Sequence, residues 1–398
     1  MKLLHTADWH AGRVLKGQSR TPEVGEALEE IASLAIEEQV DLILVAGDLY
    51  DKKNPGADAE AAVYRFFRTV SDAGIPSVVI AGNHDSPGRL DAVSSMLELA
   101  QTHVLGEAKV AGQGGAFQLQ VGDEVAQIAA LPFVSERRIV RYADLLNSDP
   151  GEWSRKYREG MQKLIANLSK DFSPEKVNLL LLHTAMDGAT LANSEYVFHC
   201  TSSYSLGHES FPDRVNYVAL GHIHKPQPVS GFNENVARYS GSLLQLDFGE
   251  VNDTKYAYIV DARAGQPTEL VKAHEIKAGK ELKHVRLNTA KDDWETKLMN
   301  LEEYPGWLKI SLKLDKPRPG LKDRIKTWLP NALGIEFEYP GVELEQEADV
   351  DVDKIDLKDA YAQFYEAQRG KDLPQDLLGT FEELLAEGFE DDEALEAA

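Results

Sequence analysis

The sequence predicts an α/β fold built on a largely parallel, buried sheet. Short runs rich in leucine and β-branched residues alternate with longer segments of helical period, which is the order of strands joined by helices. The 398 residues suffice for one large domain and one or two small ones, at roughly 150 residues per domain. Hydrophobic residues at 43% and charged residues at 27% are typical of globular proteins and argue against a disordered or collagen-like chain.

The first predicted elements form a βαβ unit. The clearest strands are four apolar runs, DLILVAG at 41–47, IPSVVIAG at 75–82, VNLLLLH at 177–183 and VNYVALG at 215–221. A helix is predicted at 57–74, between the first two strands, because its apolar residues share one face and Gly74 provides a stop. The residues of that face are Ala62, Phe66, Phe67 and Val70.

Two further regions follow the large α/β region. A β-rich stretch at 228–272 completes it, and from about 276 the pattern becomes strand, helix, strand, helix, strand. We therefore divide the chain into a large α/β domain at 1–275, a small α+β domain at 276–342 and an acidic linker with a helical tail at 343–398.

The tail carries most of the net charge of −24, because residues 343–398 include 19 acidic and 4 basic side chains. A basic face on the rest of the chain is therefore compatible with the total. The last helical pattern has an apolar stripe, which either folds back on the body or docks onto a partner. The stripe consists of Leu377, Leu378, Phe381, Leu384 and Leu385.

Three features predict a cytoplasmic protein without a membrane anchor. No apolar run approaches the roughly 20 residues that a membrane helix needs. The first residues, MKLLHTADWH, lack the apolar core of a secretory signal. The one cysteine, Cys200, cannot form an internal disulfide, so nothing indicates an oxidising compartment.

Side chains able to bind metal ions stand at the carboxyl ends of five predicted strands. They are Asp8, His10, Asp48, Asn83, His84, His183, His222 and His224. Ligands bind at this edge of open α/β sheets, so residues distant in sequence can converge there. The set exceeds the needs of one ion and suits two, with the Asp48 carboxylate as the natural bridge. Mixed imidazole and carboxylate ligands favour manganese, iron or zinc over magnesium, and we expect two Mn²⁺ ions.

The ordered motifs DWH, GDLYD, GNHD, the His183 strand and GHIH resemble those of calcineurin-like metallophosphoesterases, whose fold has sheet layers flanked by helices. Longer stretches, KLLHTADWHAGR, GNHDSPGRL, ALGHIHKPQPV and RYSGSLLQLDFGE, resemble the nuclease subunits of the SbcCD type. The resemblance is strong over 1–275 and rests on architecture alone over 276–340. It implies a DNA nuclease with a capping domain, a homodimer and a coiled-coil ATPase partner.

The resemblance also implies roles for single residues. One ion takes Asp8, His10, Asp48 and His224, and the other takes the shared Asp48 with Asn83, His183 and His222. His84 is not a ligand in such enzymes but contacts the phosphate and protonates the leaving oxygen. Related phosphoesterases orient this histidine with the residue that is Asp51 here, and Asp85 is the rival partner.

Contacts to DNA and between subunits are less defined by the sequence. Basic residues near the strand ends are candidates for phosphate contacts. They are Arg13, Lys16, Arg20, Lys52, Lys53 and Arg89, with a further cluster at Arg137, Arg138 and Arg141. The helix at 60–73 or the helix at 88–100 is expected to contribute to the dimer.

The predicted function is that of a two-metal DNA nuclease subunit in double-strand-break repair and recombination. It is expected to act as an exonuclease on double-stranded ends and as an endonuclease on single-stranded or hairpin DNA. Two alternatives remain, namely a metallophosphoesterase for small phosphodiesters and a scaffold without catalysis. Protein phosphatases usually have Arg-Gly where this chain has Lys52 and Lys53, and the complete ligand set disfavours a scaffold.

Overall fold

The computed structural model describes residues 1–135, 150–192, 194–195, 205–339, 374, 377 and 378. The chain divides into two units, Met1–Pro340 and Gly341–Ala398, and the elements below all belong to the first. Of the apolar stripe predicted in the tail, only Leu377 and Leu378 are described, and the basic cluster at 137–141 lies outside the described residues.

The secondary structure alternates strands and helices as the sequence predicts. In chain order the strands are β1 (Lys2–Thr6), β2 (Val14–Leu15), β3 (Gln18–Ser19), β4 (Leu42–Val45), β5 (Ser77–Ile80), β6 (Thr102–Leu105), β7 (Ala116–Val121), β8 (Glu124–Leu131), β9 (Val177–His183), β10 (Tyr217–Gly221), β11 (Gln227–Pro228), β12 (Ala237–Tyr239), β13 (Tyr256–Asp261), β14 (Glu269–Glu275), β15 (Leu282–Asn288), β16 (Trp307–Lys313) and β17 (Ala332–Glu338). The helices are α1 (Thr21–Glu37), α2 (Ala57–Asp72), α3 (Pro87–Glu98), α4 (Pro150–Leu168), α5 (Trp294–Met299) and α6 (Leu321–Trp328).

The body of the molecule has two large sheets. The first has the order β14-β13-β1-β4-β5-β6, and its last four strands are parallel. The second has the order β11-β12-β10-β9-β8-β7, and its four central strands are parallel. Both sheets carry antiparallel strands at an edge, which the apolar runs alone did not reveal.

Apolar side chains bury both faces of each sheet. Leu3, Leu44, Ile128 and Leu179 meet between the two sheets. Helices α1, α2 and α3 cover the outer face of the first sheet, and α4 covers the outer face of the second. The predicted apolar face of α2, from Ala62 to Val70, is buried in this way. Four layers therefore bring the carboxyl ends of β1, β4, β5, β9 and β10 to the same region.

The segment from 282 to 338 forms a separate three-stranded sheet. Strands β15, β16 and β17 are parallel, and their apolar side chains pack against α5 and α6. Trp307 of β16 donates a hydrogen bond from Nε1 to Glu23 of α1 at 3.0 Å. Glu23 in turn accepts hydrogen bonds from Arg20 at 2.8 and 3.0 Å. Because Arg20 is fully buried in this contact, it is unavailable to DNA, and its choice as a phosphate candidate was wrong.

None of the helices in the described ranges combines the length and the apolar character that crossing a bilayer requires.

Candidate dimetal centre

Both sheets contribute polar side chains to one buried cluster. The first sheet supplies those that follow β1, β4 and β5, namely Asp8, His10, Asp48, Asn83 and His84. The second supplies those that end or follow β9 and β10, namely His183, His222 and His224. The structure thus brings together all eight residues that the sequence predicted at strand ends.

Hydrogen bonds of the main chain join the loops that carry these residues. The Asp8 N–H donates to the carbonyl of Gly47 at 2.9 Å, and the His10 N–H donates to the carbonyl of Asp48 at 3.1 Å. The His222 N–H donates to the Asp8 carboxylate at 2.9 Å, across the two sheets. The loops are therefore positioned by contacts within the protein itself.

Four of the clustered residues adopt left-handed backbone conformations. Asp8, His10, Asp48 and His222 have φ angles of 52°, 47°, 52° and 96°. Side chains other than glycine rarely adopt this region, and its strain concentrates at functional sites. The strain turns each side chain toward the cluster directly after its strand ends.

Two glycines make room for the cluster. Gly47 has a φ of 96°, and a Cβ there would overlap with Nδ1 of His183. A Cβ at Gly82 would overlap with the carboxylate of Asp48. Larger residues at either position would displace a candidate ligand.

The first ligand group consists of Asp8, His10, Asp48 and His224. One donor atom from each of these residues lies within 4.8 Å of the others. His10 Nε2 is 3.1 Å from His224 Nε2 and 3.7 Å from Asp48 Oδ2. All four side chains are buried, so their donor atoms face one another rather than solvent.

The second ligand group consists of Asp48, Asn83, His183 and His222. Asn83 Oδ1 lies 3.0 Å from His183 Nε2 and 2.8 Å from His222 Nδ1. His183 Nε2 is also 3.4 Å from Asp48 Oδ2. The same Asp48 oxygen therefore faces imidazoles of both groups, as a bridging ligand requires.

The outer nitrogens of the imidazoles support metal binding. His183 Nδ1 lies 2.8 Å from the carbonyl of Ala46, which accepts only from a protonated nitrogen. This contact leaves Nε2 unprotonated in the neutral ring and directed at Asp48 and Asn83. Imidazole nitrogens combined with carboxylate and amide oxygens suit manganese, iron or zinc. The residues present therefore fit divalent metal ions.

Burial and mutual contact shift the titration of the cluster. Burial raises the pKa of Asp8 to about 6 and lowers the pKa of His10 to about 4. Burial opposes charge on Asp48 and His183 as well, but these two residues form an ion pair. The pKa of Asp48 is held well below its usual value, and that of His183 is raised to about 9. A proton on His183 thus provides positive charge that a metal ion would replace.

Two family models match this chain. Residues 1–226 match the family described as calcineurin-like phosphoesterase, and residues 280–369 match the one described as type 5 capsule protein repressor C-terminal domain. The SbcD subunit of the nuclease SbcCD from Bacillus subtilis (strain 168) is 30% identical over 401 residues, covering 99% of this chain and 100% of the relative. The chain belongs to the SbcD family of calcineurin-like phosphoesterases.

Relatives of the same name occur in other bacteria. Those from Staphylococcus epidermidis and Rhodobacter capsulatus are 28% and 30% identical, and the match covers 67% of this chain and of each relative. The resemblance and the fold class predicted from the sequence are therefore confirmed. The chain is a metallophosphoesterase, and its fold implies divalent metal ions.

The His84 side chain contacts Asp51 in a way that the sequence did not predict. His84 Nδ1 lies 3.1 Å from the main-chain carbonyl of Asp51, not from its carboxylate. The Asp51 carboxylate instead lies 3.1 Å from Arg13 Nη1 and 3.4 Å from His10 Nδ1. The rival Asp85 accepts from the N–H groups of three residues, Leu49, Tyr50 and Gly82. A carbonyl thus replaces the expected carboxylate as the acceptor for His84.

The basic candidates for DNA contact differ in how free they are. Lys16, Lys52 and Lys53 are exposed, and they make no ion pair within the described part of the chain. Arg89 is exposed but lies 2.7 Å from Glu60, and Arg13 is partly buried against Asp51. The three lysines are the candidates that a phosphate could engage without breaking an existing contact.

Sequence reasoning missed residues that surround the candidate ligands. The Glu195 carboxylate accepts the His224 N–H at 2.9 Å, and Glu250 lies 3.8 Å from His224 Nδ1. The Phe133 ring stacks on that of His222, with centroids 5.8 Å apart. Glu250 stands in the stretch RYSGSLLQLDFGE that carried the resemblance, but no spacing linked it to a histidine.

Proposed function

We propose that this chain is the nuclease subunit of a DNA double-strand-break repair and recombination complex and requires two metal ions. It acts as an exonuclease on double-stranded ends and as an endonuclease on single-stranded or hairpin DNA. The position of Asp48 between the two ligand groups carries the proposal, because two ions joined by a carboxylate are the machinery of phosphodiester hydrolysis. The names of its relatives support DNA as the substrate.

Each ligand group would hold one divalent ion, for which we propose Mn²⁺. When bound, the two ions supply an acidified water and neutralise charge on the phosphodiester. The chain's own residues orient the reaction. His84 is partly exposed, and its Nδ1 is held by the Asp51 carbonyl, so Nε2 is free to approach a phosphoryl oxygen. From there an imidazolium can donate a proton to the departing sugar oxygen.

Affinity for DNA would come from exposed cations near this edge. We assign phosphate contacts to Lys16, Lys52 and Lys53, with Arg13 and Arg89 able to join if their carboxylate partners release them. Such contacts are independent of base sequence, as expected for an enzyme that acts on DNA ends.

Assembly with other subunits completes the proposal. We propose a body at 1–275, a capping domain at 276–342 and a tail at 343–398 that docks onto a coiled-coil ATPase in the cytoplasm. For a homodimer α3 is the better candidate than α2. The apolar face of α2 is buried, whereas Met96 on α3 and Leu99 directly after it are 71% and 88% exposed.

The decisive experiment is cleavage of end-labelled linear double-stranded DNA with Mn²⁺, comparing the wild-type chain with His84→Ala. We expect the variant to lose at least about 100-fold in rate, the scale of lost acid catalysis, while it still binds two ions. Loss of the ions would show that His84 is a ligand. Hydrolysis of an aryl phosphodiester without any cleavage of DNA, with or without the ATPase, would favour a small-molecule phosphodiesterase.

A further inference from the structure

His224 is held by more buried charged groups than the other candidate ligands. Its N–H donates to Glu195 Oε1 at 2.9 Å, and its carbonyl accepts from Lys255 Nζ at 3.0 Å. Its Nδ1 lies 2.5 Å from Ser194 Oγ and 3.8 Å from Glu250 Oε1. Only Nε2 is left to face the first ligand group, where it lies 3.1 Å from His10 Nε2.

Glu250 is the deepest of these groups. Its side chain is fully buried, and Oε2 accepts from Lys255 Nζ at 2.6 Å and from the Leu246 N–H at 3.2 Å. Oε1 is buried and makes no hydrogen bond in the described part of the chain, and it is the oxygen that faces His224. A buried carboxylate oxygen without a donor is unfavourable, so this oxygen indicates a function for the contact.

We infer that Glu250 is a positioning residue for His224, and that Lys255 holds it in place. The inference rests on the proposed function, because it requires His224 to bind a metal ion through Nε2. In that state Nδ1 carries the proton, which Ser194 Oγ and Glu250 Oε1 share as acceptors. A carboxylate behind a metal-binding imidazole fixes the ring orientation and raises its basicity. Lys255 contacts both the carboxylate and the His224 carbonyl, so it couples the side chain of this ligand to its backbone.

Calorimetric titration of the full-length chain with Mn²⁺ tests the inference. His224→Ala should lose one of the two ions, and Glu250→Gln should weaken the same ion by about 10- to 100-fold and leave the other unchanged. Glu23→Gln is the matched control, because it also removes a buried carboxylate from a buried cation, Arg20, but touches no candidate ligand. We expect this control to melt at a lower temperature and to bind both ions normally.

A double variant separates positioning from simple folding. Glu250→Gln with Lys255→Met removes both buried charges, so it should recover melting temperature relative to Glu250→Gln alone, while one Mn²⁺ ion stays weakly bound. Recovery of both properties together would overturn the inference. So would wild-type affinity in Glu250→Gln when His224→Ala loses one ion, and that result would leave the proposed function intact. If His224→Ala kept both ions, the assignment of His224 would fail, and the inference with it.

Discussion

The two ligand groups are supported by different parts of the protein. In the first group, the outer nitrogens of His10 and His224 face side-chain carboxylates, those of Asp51 and Glu250. In the second group, the outer nitrogen of His183 faces the main-chain carbonyl of Ala46, directly after β4. One group is thus supported by side chains that a single substitution can remove, and the other by the backbone of the first sheet.

This difference bears on how the two candidate metal positions can be changed. A carboxylate behind an imidazole can be replaced without altering the fold, which tunes the strength of one ligand. A carbonyl is part of every residue, so the second group changes only when a ligand is replaced or the backbone near β4 is displaced. We therefore expect substitutions behind the ligands to affect the two groups separately and substitution of Asp48 to affect both.

The largest effect is expected from Asp48→Ala. Asp48 Oδ2 faces His10 of the first group at 3.7 Å and His183 of the second at 3.4 Å. Its loss should empty both positions and abolish phosphodiester hydrolysis. Metal content after dialysis, measured by atomic emission, should fall from two ions per chain to none. A variant that kept one full ion would show that Asp48 does not bridge.

The next effect is expected from Gly47→Ala, which should act on the second group alone. Its Cβ would overlap with His183 Nδ1 and push the ring away from the Ala46 carbonyl. Gly114→Ala is the matched control, because its φ of 98° imposes similar strain to the 96° of Gly47 but its Cβ would have no neighbour within 4 Å. Both variants should lose about 1–2 kcal/mol of stability from left-handed strain. Only Gly47→Ala should lose the second ion, and equal Mn²⁺ binding by both variants would contradict this.

Asp51→Asn should have a smaller effect, confined to the first group. The substitution removes the negative charge behind His10 Nδ1 but keeps a side chain of the same size, and the carbonyl that accepts from His84 is unchanged. We expect one Mn²⁺ ion to bind about 10-fold more weakly. Weaker binding of both ions would mean that the two groups are not supported separately.

The smallest expected signal is proton release on metal binding. The pKa of His183 is raised to about 9, so the ring is protonated at pH 7 in the metal-free protein and must lose that proton to bind an ion. About one proton per chain should be released there, and Mn²⁺ affinity should rise between pH 7 and pH 9. Calorimetry in two buffers of different ionisation enthalpy measures this, and identical heats in both would contradict it.

The sequence predicted which residues meet but not what stands behind them. Asp8, Asp48 and His183 could be chosen because each follows a buried run, and the ends of parallel strands share one edge. How the strands divide between two sheets could not be predicted, because a run that is apolar throughout does not reveal which strand it pairs with. The direction of the Asp51 carboxylate and the burial of Arg20 depend on side-chain packing between distant segments, which periodicity does not encode.

The left-handed conformations at Asp8, His10, Asp48 and His222 set the chemistry of the site against the stability of the fold. At about 1 kcal/mol each they sum to roughly 4 kcal/mol, a large share of the 5–15 kcal/mol that typically separates folded from unfolded protein. Glycine at these positions would relieve the strain but would provide no metal ligand. The chain has two aspartates and two histidines there, so it gives up part of its stability for side chains that the fold alone does not need.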